Sequence, residues 1–489
     1  MSCFADDCLP MATTTPLVVI GITLILAWLL HRLLKWKSLG WQRCDPVLPP
    51  GSLGLPLLGE TLQFFSWSSS LDMSPFLKKR LQRYGPIFKT NLLGKDLIVS
   101  LDTELNNYVT QQEEKAFQIW YPESFMRIMG ENNIVSASGS LHKYMRNMVL
   151  RVFGPENLRL LLLKDVHSAV SMSLASWAEK QSIELKTASA NMILSVTAKW
   201  LIGYDTSASS EELWKFYDIR GLLAFPLNVP GTAFYRCVQG RKNLMKVLKQ
   251  LIDGRRKNAK PLERKNFVDL VIDELKKERP VLNEEVAFNL LFALLFASFE
   301  TTSSAITVIL KFLTDNPKAL QELTEEHEQI LKQRTDPNSE ITWDEYKSMK
   351  FTSCVIHESL RLANIAPVLF RKAKQDVQIK GYTIPEGWIV MICPAAVHLN
   401  PTTYNHPIVF NPWRWKDISE PVGGSNDFLA FGWGSRFCVG ADFAKLQITI
   451  FLHYLTTKYR WKVVSGGNMV LSPGLAFPKG CHIEIAPKS

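Results

Sequence analysis

The chain has 489 residues, 56 Lys and Arg against 46 Asp and Glu, a net charge of +10, 46% hydrophobic and 21% charged residues. No nucleic-acid motif accompanies the positive charge, which points instead to a membrane surface or an acidic redox partner. The eight cysteines are scattered without a CxxC pair, which argues against a disulfide scaffold or zinc site and for a reducing compartment.

Residues 1–15 are polar and include Asp6 and Asp7, and residues 16–34 follow as a largely apolar run whose uncharged core is Leu17–Leu30. Its 19 residues approach the roughly 20 that span a bilayer. No basic stretch precedes it and no small-residue cleavage site follows, so an uncleaved anchor is expected rather than a signal peptide. Arg32, Lys35, Lys37 and Arg43 lie just after it, which predicts a cytosolic C-terminal side. The expected organisation is a tail at 1–15, an anchor at 16–34, a basic and Pro-rich hinge at 35–59, and one catalytic domain at 60–489.

Within that domain, Tyr84–Thr90 and Leu97–Leu101 read as strands joined by a Gly94-Lys95 turn, opening a small β-region. From Thr103 to Lys332 the pattern is mostly helical. Two apolar connectors interrupt it, at 115–139 and at 225–235. The second is read either as packed on the core or as an exposed patch that dips into a bilayer. Asn283 caps a long helix that is apolar around most of its circumference. Such a helix is buried, which makes Glu300 and Thr301 costly unless they are satisfied or functional. The plainer reading has Thr301 bonding a carbonyl one turn back and Glu300 finding a cation. Thr342-Trp-Asp-Glu345 is a capping box. Glu358 and Arg361 form an i,i+3 pair that is weak evidence of anything by itself.

Near the C-terminus stands Phe431-Gly-Trp-Gly-Ser-Arg-Phe-Cys-Val-Gly440. Gly432 and Gly434 permit positive φ, and a helix starting near Gly440 would aim free amides at Cys438, favouring its thiolate. The pattern Phe-x-x-Gly-x-Arg-x-Cys-x-Gly resembles the haem-binding loop of the cytochrome P450 family. That resemblance makes Cys438 the axial iron ligand and implies oxygen activation on haem b. Trp433 stands where relatives usually carry a small residue.

The resemblance extends over essentially the whole chain after about residue 48. It implies a mainly α fold with a smaller β region, the cytochrome P450 fold, behind a single N-terminal transmembrane helix. Ala297-Ser-Phe-Glu-Thr-Thr302 resembles the family's oxygen groove, with Glu300 and Thr301 as an acid–alcohol pair for proton delivery and Ser298 where many relatives have Gly. His142 and Arg146 match a Trp-x-x-x-Arg pattern, with His142 in place of the Trp. With Arg371 and Arg436 they are the expected partners of the haem propionates, while Phe431 shields the site. Glu358, Arg361 and Arg414 are the expected buried triad behind the Cys loop.

Pocket walls are expected from the 115–135 loop, Leu291–Phe299, Asn364–Phe370 and Leu475–Phe477, which suits a large lipophilic substrate. The chain looks closest to the plant group that oxidises sterols, triterpenoids and brassinosteroid precursors. The implied protein sits in the endoplasmic reticulum membrane and takes electrons from NADPH through a separate cytochrome P450 reductase. A diterpenoid or another steroid remains an alternative substrate. A reductase-independent lipid isomerase or dehydratase and a non-catalytic haem protein are the other classes left open.

Overall fold

The computed structural model describes residues 20–30 except 22, 47–204 except 56–57, 222, 226–257, 265–336, 339–417 and 425–488. The expected tail 1–15, most of the hinge and both ends of the expected anchor lie outside them. Residues 20–21 and 23–30 are helical, and Ile20, Leu24, Ile25, Leu26 and Leu30 are exposed.

Helices dominate, and five of them build the site. They are α1 (Gly139–Phe153), α2 (Leu185–Ile202), α3 (Glu284–Asp315), α4 (Lys350–Ala363) and α5 (Ala441–Lys458). The 32-residue α3 runs through the middle of the main core and packs along α2. Its start is fixed by Asn283 Oδ1, which accepts from the Val286 N–H at 2.8 Å. Glu284 and Glu285 in the first turn add a favourable interaction with the helix dipole. Its end is fixed by Pro317, the first residue of the next helix. Between those ends the helix carries buried hydroxyls, several of them returned to its own backbone. Ser304 donates to the Glu300 carbonyl at 2.8 Å and Thr307 to that of Ser303 at 2.8 Å, so neither desolvated group is left unpaired.

The β-region centres on a five-stranded sheet in the order 87–92, 95–100, 389–392, 369–373, 117–119. The first two strands form a hairpin in register Leu92↔Lys95. Leu93 and Gly94 make its turn with φ of 52° and 74°, a two-residue turn whose twist matches that of the strands. Strand 95–100 pairs in parallel with 389–392; the other pairings are antiparallel.

The segment read as a connector is docked along this sheet. Lys89 N–H donates to Pro50 O at 2.9 Å, and a side chain on Gly51 (φ 156°) would meet Lys89 O at 2.0 Å. The second apolar connector is only partly a loop. Phe225 lies outside the described residues, Leu227 and Val229 are exposed, and from Ala233 the chain is helical with Phe234 buried.

Candidate active site

The Cys438 loop is held from behind before it meets anything in front. On α4, Glu358 and Arg361 are fully buried, and Arg361 Nε and Nη2 donate to the two carboxylate oxygens of Glu358 at 2.9 and 2.8 Å. Arg414 Nε and Trp415 Nε1 also donate to Glu358, at 3.2 and 2.9 Å. Glu358 therefore has its charge matched and its lone pairs used, the condition under which a buried ion pair is tolerable. Arg361 Nη1 reaches across to the His398 and Pro407 carbonyls at 2.6 and 2.7 Å.

His398 carries the connection forward. Its Nδ1 meets Asn364 Oδ1 at 2.8 Å, and its Nε2 accepts the Leu429 N–H at 2.8 Å. Burial, helped by Arg361, holds its pKa down to about 3, so it is neutral with the proton on Nδ1. Asn364 itself occupies the left-handed region at the end of α4 (φ 43°), a conformation Asn tolerates. From Leu429 the loop folds on its own backbone. Gly432 N–H donates to Leu429 O at 2.9 Å and Cys438 N–H to Phe431 O at 2.8 Å. Gly432 and Gly434 have φ of 75° and 59°, as the sequence suggested.

Cys438 lines a cavity of about 380 Å³, and its accessible surface opens onto that cavity. Helix α5 begins one residue after Gly440, with no side chain capping its first amides. Those amides were expected to favour the thiolate. The Gly440 amide and Arg146 do pull the thiol down, but burial outweighs them and holds Cys438 above its ordinary value.

Helix α3 forms the opposite part of the lining with Leu294, Ala297, Ser298, Thr301, Thr302 and Ala305, one stripe at helical spacing. Thr301 therefore shares the cavity with Cys438, and its hydroxyl donates to the Ala297 carbonyl at 2.9 Å. Ser298 donates in the same manner to Leu295 at 2.7 Å. Glu300 is not part of the lining. It faces α2, where Lys186 Nζ lies 2.5 Å from Oε1, and that lysine is the cation of the plainer reading.

At the edge of the cavity the basic residues converge. His142, Arg146, Arg371 and Arg436 all line it, as do Phe431 and Trp433. Arg146 donates to the Phe437 carbonyl. His142 is buried and its pKa is lowered to about 4 by burial and by Arg436, so its role here is that of a neutral ring. Of the expected walls, Ile119, Tyr121, Ile134, Val135, Ile365 and Leu369 contribute. Leu475–Phe477 does not; Leu475 and Phe477 pack on the main core instead.

One residue outside the expected set belongs here, and one inside it gains a role. Glu113 joins Arg371 to Arg436, and Tyr121 is stacked on Phe125 with its phenol pKa raised by burial. Nothing local marks Glu113, because a Gln-Gln-Glu-Glu-Lys run reads as a solvated helix end. Tyr121 stood inside the expected loop, unsorted from its aromatic neighbours.

The residues present fit a haem. A thiol faces the cavity, and cationic side chains gather at its edge. Arg436 Nη1 and both amide atoms of Asn106 are buried without a partner, and both residues line the cavity. An added Cβ on Gly440 would meet nothing within 4 Å. Among the described residues no group of three or more His, Cys, Asp or Glu is placed to hold a metal ion.

Comparison with known proteins agrees in kind. The family profile described as Cytochrome P450 matches residues 49–479. The chain is 53% identical to Cytochrome P450 87A3 of Oryza sativa subsp. japonica, over 93% of this chain and 89% of that one. It is 41% identical to Cucurbitadienol 11-hydroxylase of Siraitia grosvenorii, covering 96% and 99% of the two chains. It is 36% identical to Cholesterol 22-hydroxylase of Paris polyphylla, covering 90% and 92%. Among solved structures, retinoic acid bound cyanobacterial CYP120A1 superposes with a TM-score of 0.79 at 26% identity, over 91% of this chain and 100% of that one.

Proposed function

The chain belongs to the cytochrome P450 family, and from that premise we propose that it hydroxylates a sterol or triterpenoid scaffold with electrons from NADPH delivered by a separate reductase. As a family member it is a monooxygenase that works with haem iron and reductase-supplied electrons. Haem, when bound, supplies the activation of O₂ that inserts one oxygen atom into a C–H bond.

The protein's own residues divide the remaining work. Cys438 holds the iron as a thiolate, and Arg146, Arg371 and Arg436 hold the propionates, with His142 as a neutral neighbour and Phe431 as an apolar shield. The Thr301 hydroxyl spends its proton on Ala297 O at 2.9 Å. Its lone pairs then stay free to accept from a water in the cavity and fix that water's orientation. Glu300 takes up protons on the Lys186 side and passes them through water into the cavity, where Thr301 orients the water that carries them. The observation that carries this reading is that Thr301 and the Cys438 thiol line one cavity.

Support for the substrate class comes from the walls and from the relatives. Leu294, Ala297, Ile134, Val135, Ile365 and Leu369 offer apolar surface, with Tyr121 and Thr301 among the polar groups. That combination suits a rigid lipophile with one or two polar handles. Similar chains are named for the hydroxylation of cucurbitadienol and cholesterol. Microsomes carrying this protein and a reductase, fed a panel of sterols and triterpenoids, are expected to yield a hydroxylated product that depends on NADPH. Absence of product across the panel defeats the substrate assignment. In the same microsomes Cys438→Ser is expected to abolish the red-shifted Soret band of the ferrous–CO form, and a retained band removes Cys438 as ligand.

We further assign residues 16–34 as a single membrane anchor of the endoplasmic reticulum, with the tail 1–15 lumenal, 35–59 a hinge and 60–489 cytosolic. The exposed apolar side chains of the helix at 23–30 support this, as do the basic residues after it. Leu227 and Val229 add a second apolar point of membrane contact. Glycosylation tags at each end test the orientation: the N-terminal tag is expected to be modified, and modification of the C-terminal one reverses the assignment.

A further inference from the structure

We propose that Glu113 is a positioning residue for the cofactor: its carboxylate holds Arg371 and Arg436 together at the cavity edge and trims that edge to the charge two propionates neutralise. The proposal rests on the reading of Arg146, Arg371 and Arg436 as propionate cations.

The backbone delivers Glu113 to this place by a tight reversal. After the helix Thr103–Gln111, Glu114 takes a left-handed conformation (φ 73°), and its N–H donates to Phe117 O at 2.8 Å. The turn sends the two neighbouring acids to different tasks. Glu114 accepts from the Gly139 N–H at 3.0 Å, at the start of α1. Glu113 accepts from Arg371 Nε at 2.9 Å through Oε2 and from Arg436 Nε at 2.5 Å through Oε1. The three side chains are 5%, 4% and 11% exposed.

A single buried carboxylate thus spans two guanidiniums that come from positions 258 and 323 residues away in sequence. Arg371 Nη1 is used on the Phe370 carbonyl at 2.9 Å, whereas Arg436 Nη1 has no partner. Without Glu113 the two cations would face one another in a low-dielectric setting, where like charges repel strongly. With it, both forks are fixed, and Arg436 Nη1 stays buried without a partner in a residue that lines the cavity.

The charge sum decides what Glu113 adds. Three guanidiniums give +3, and Glu113 brings the edge to +2. Neither His142, with its pKa lowered to about 4, nor the Tyr121 phenol, with its pKa raised by burial, adds charge near neutral pH. Glu114, 3.9 Å from Arg436, is 46% exposed, so solvent screens it. The two carboxylates of a haem carry −2. The cradle and the cofactor therefore cancel only when Glu113 is present as a carboxylate. A purely architectural Glu113 would tie the 117–119 strand to the sheet and leave a bound haem unaffected.

The test uses the haem-loaded full chain. In Glu113→Gln the ferric/ferrous midpoint potential is expected to move to more positive values, because one negative charge has left the haem edge. Glu113→Asp keeps the charge and is expected to stay near the wild-type potential. It should nevertheless release haem to apomyoglobin several-fold faster, since a shorter side chain cannot span both guanidiniums. An unmoved potential in Glu113→Gln, or a shift in Glu113→Asp as large as in Glu113→Gln, overturns the proposal. Should Glu113→Gln fail to load haem, Glu113→Asp decides alone: a wild-type release rate overturns it. Arg436→Gln separates this claim from its premise. Wild-type haem release in that variant defeats the propionate reading and the proposal with it, whereas accelerated release there beside silent Glu113 variants defeats only the role of Glu113.

Discussion

At the scale of single residues, Thr301 is the most informative position. Its side chain faces the cavity, and like Ser298, Ser304 and Thr307 on the same helix it donates to a carbonyl about one turn back. Packing alone is poorly served by a hydroxyl at that position, since Val or Ala would fill it without a polar group. Thr301→Ala is expected to fold, load haem and bind substrate while product per NADPH falls by about 10²-fold and hydrogen peroxide accounts for the missing equivalents. Unchanged coupling in a folded variant returns Thr301 to a purely structural role. Glu300 belongs to the same question with a different geometry. Because its carboxylate rests on Lys186 and is 17% exposed, Glu300→Gln is expected to slow turnover several-fold while unfolding stability changes by less than about 1 kcal/mol. Full turnover in that variant would mean that water supplies the protons without it.

At the scale of elements, the hydrogen-bonded path from α4 to the Cys438 loop is what holds the site. Removing one member of the Glu358–Arg361 pair leaves a fully buried charge alone, a change worth about 3–5 kcal/mol. Glu358→Gln and Arg361→Met are therefore expected to lower the urea midpoint strongly and to yield little haem-loaded protein. Wild-type midpoints would show the pair to be dispensable. Much of this was legible in advance. The Asn283 and Thr342 caps, the hairpin near Gly94 and the positive φ of Gly432 and Gly434 follow from local chemistry, and the structure has all of them. His398 was not legible, because its meaning depends on Arg361 and Asn364 at the end of α4 and on Leu429 arriving from two other stretches. The balance at the Cys438 thiol was not legible for a related reason. Helix amides can be read from sequence, but the desolvation that outweighs them depends on the packed surroundings.

For the whole molecule, buried neutral histidines make stability depend on acidity. His398 and His453 are each held down to about 3, chiefly by burial. Their folded pKa values lie below the unfolded value near 6.5, so their contribution is complete above about pH 6.5 and is lost as pH falls toward 3. Each unit of depression is worth about 1.4 kcal/mol. The urea midpoint is expected to fall steadily from pH 6.5 to pH 5, a window in which ordinary carboxylates are already ionised. A flat profile there would mean that these rings are not buried neutral in solution. The overall α-rich architecture with a small sheet was also legible, since helical periodicity and the Cys loop survive without tertiary information. The docking of residues 50–51 onto strand 87–92 was not, because a Pro-Gly-rich stretch looks the same whether it hangs free or lies on a sheet edge.

The path from Arg361 through His398 to Leu429 has a consequence for how the protein is made. Every bond in it is between protein groups. The shape of the thiol-bearing loop is therefore written into α4, and a translation error there would reach the sulfur through backbone it never touches.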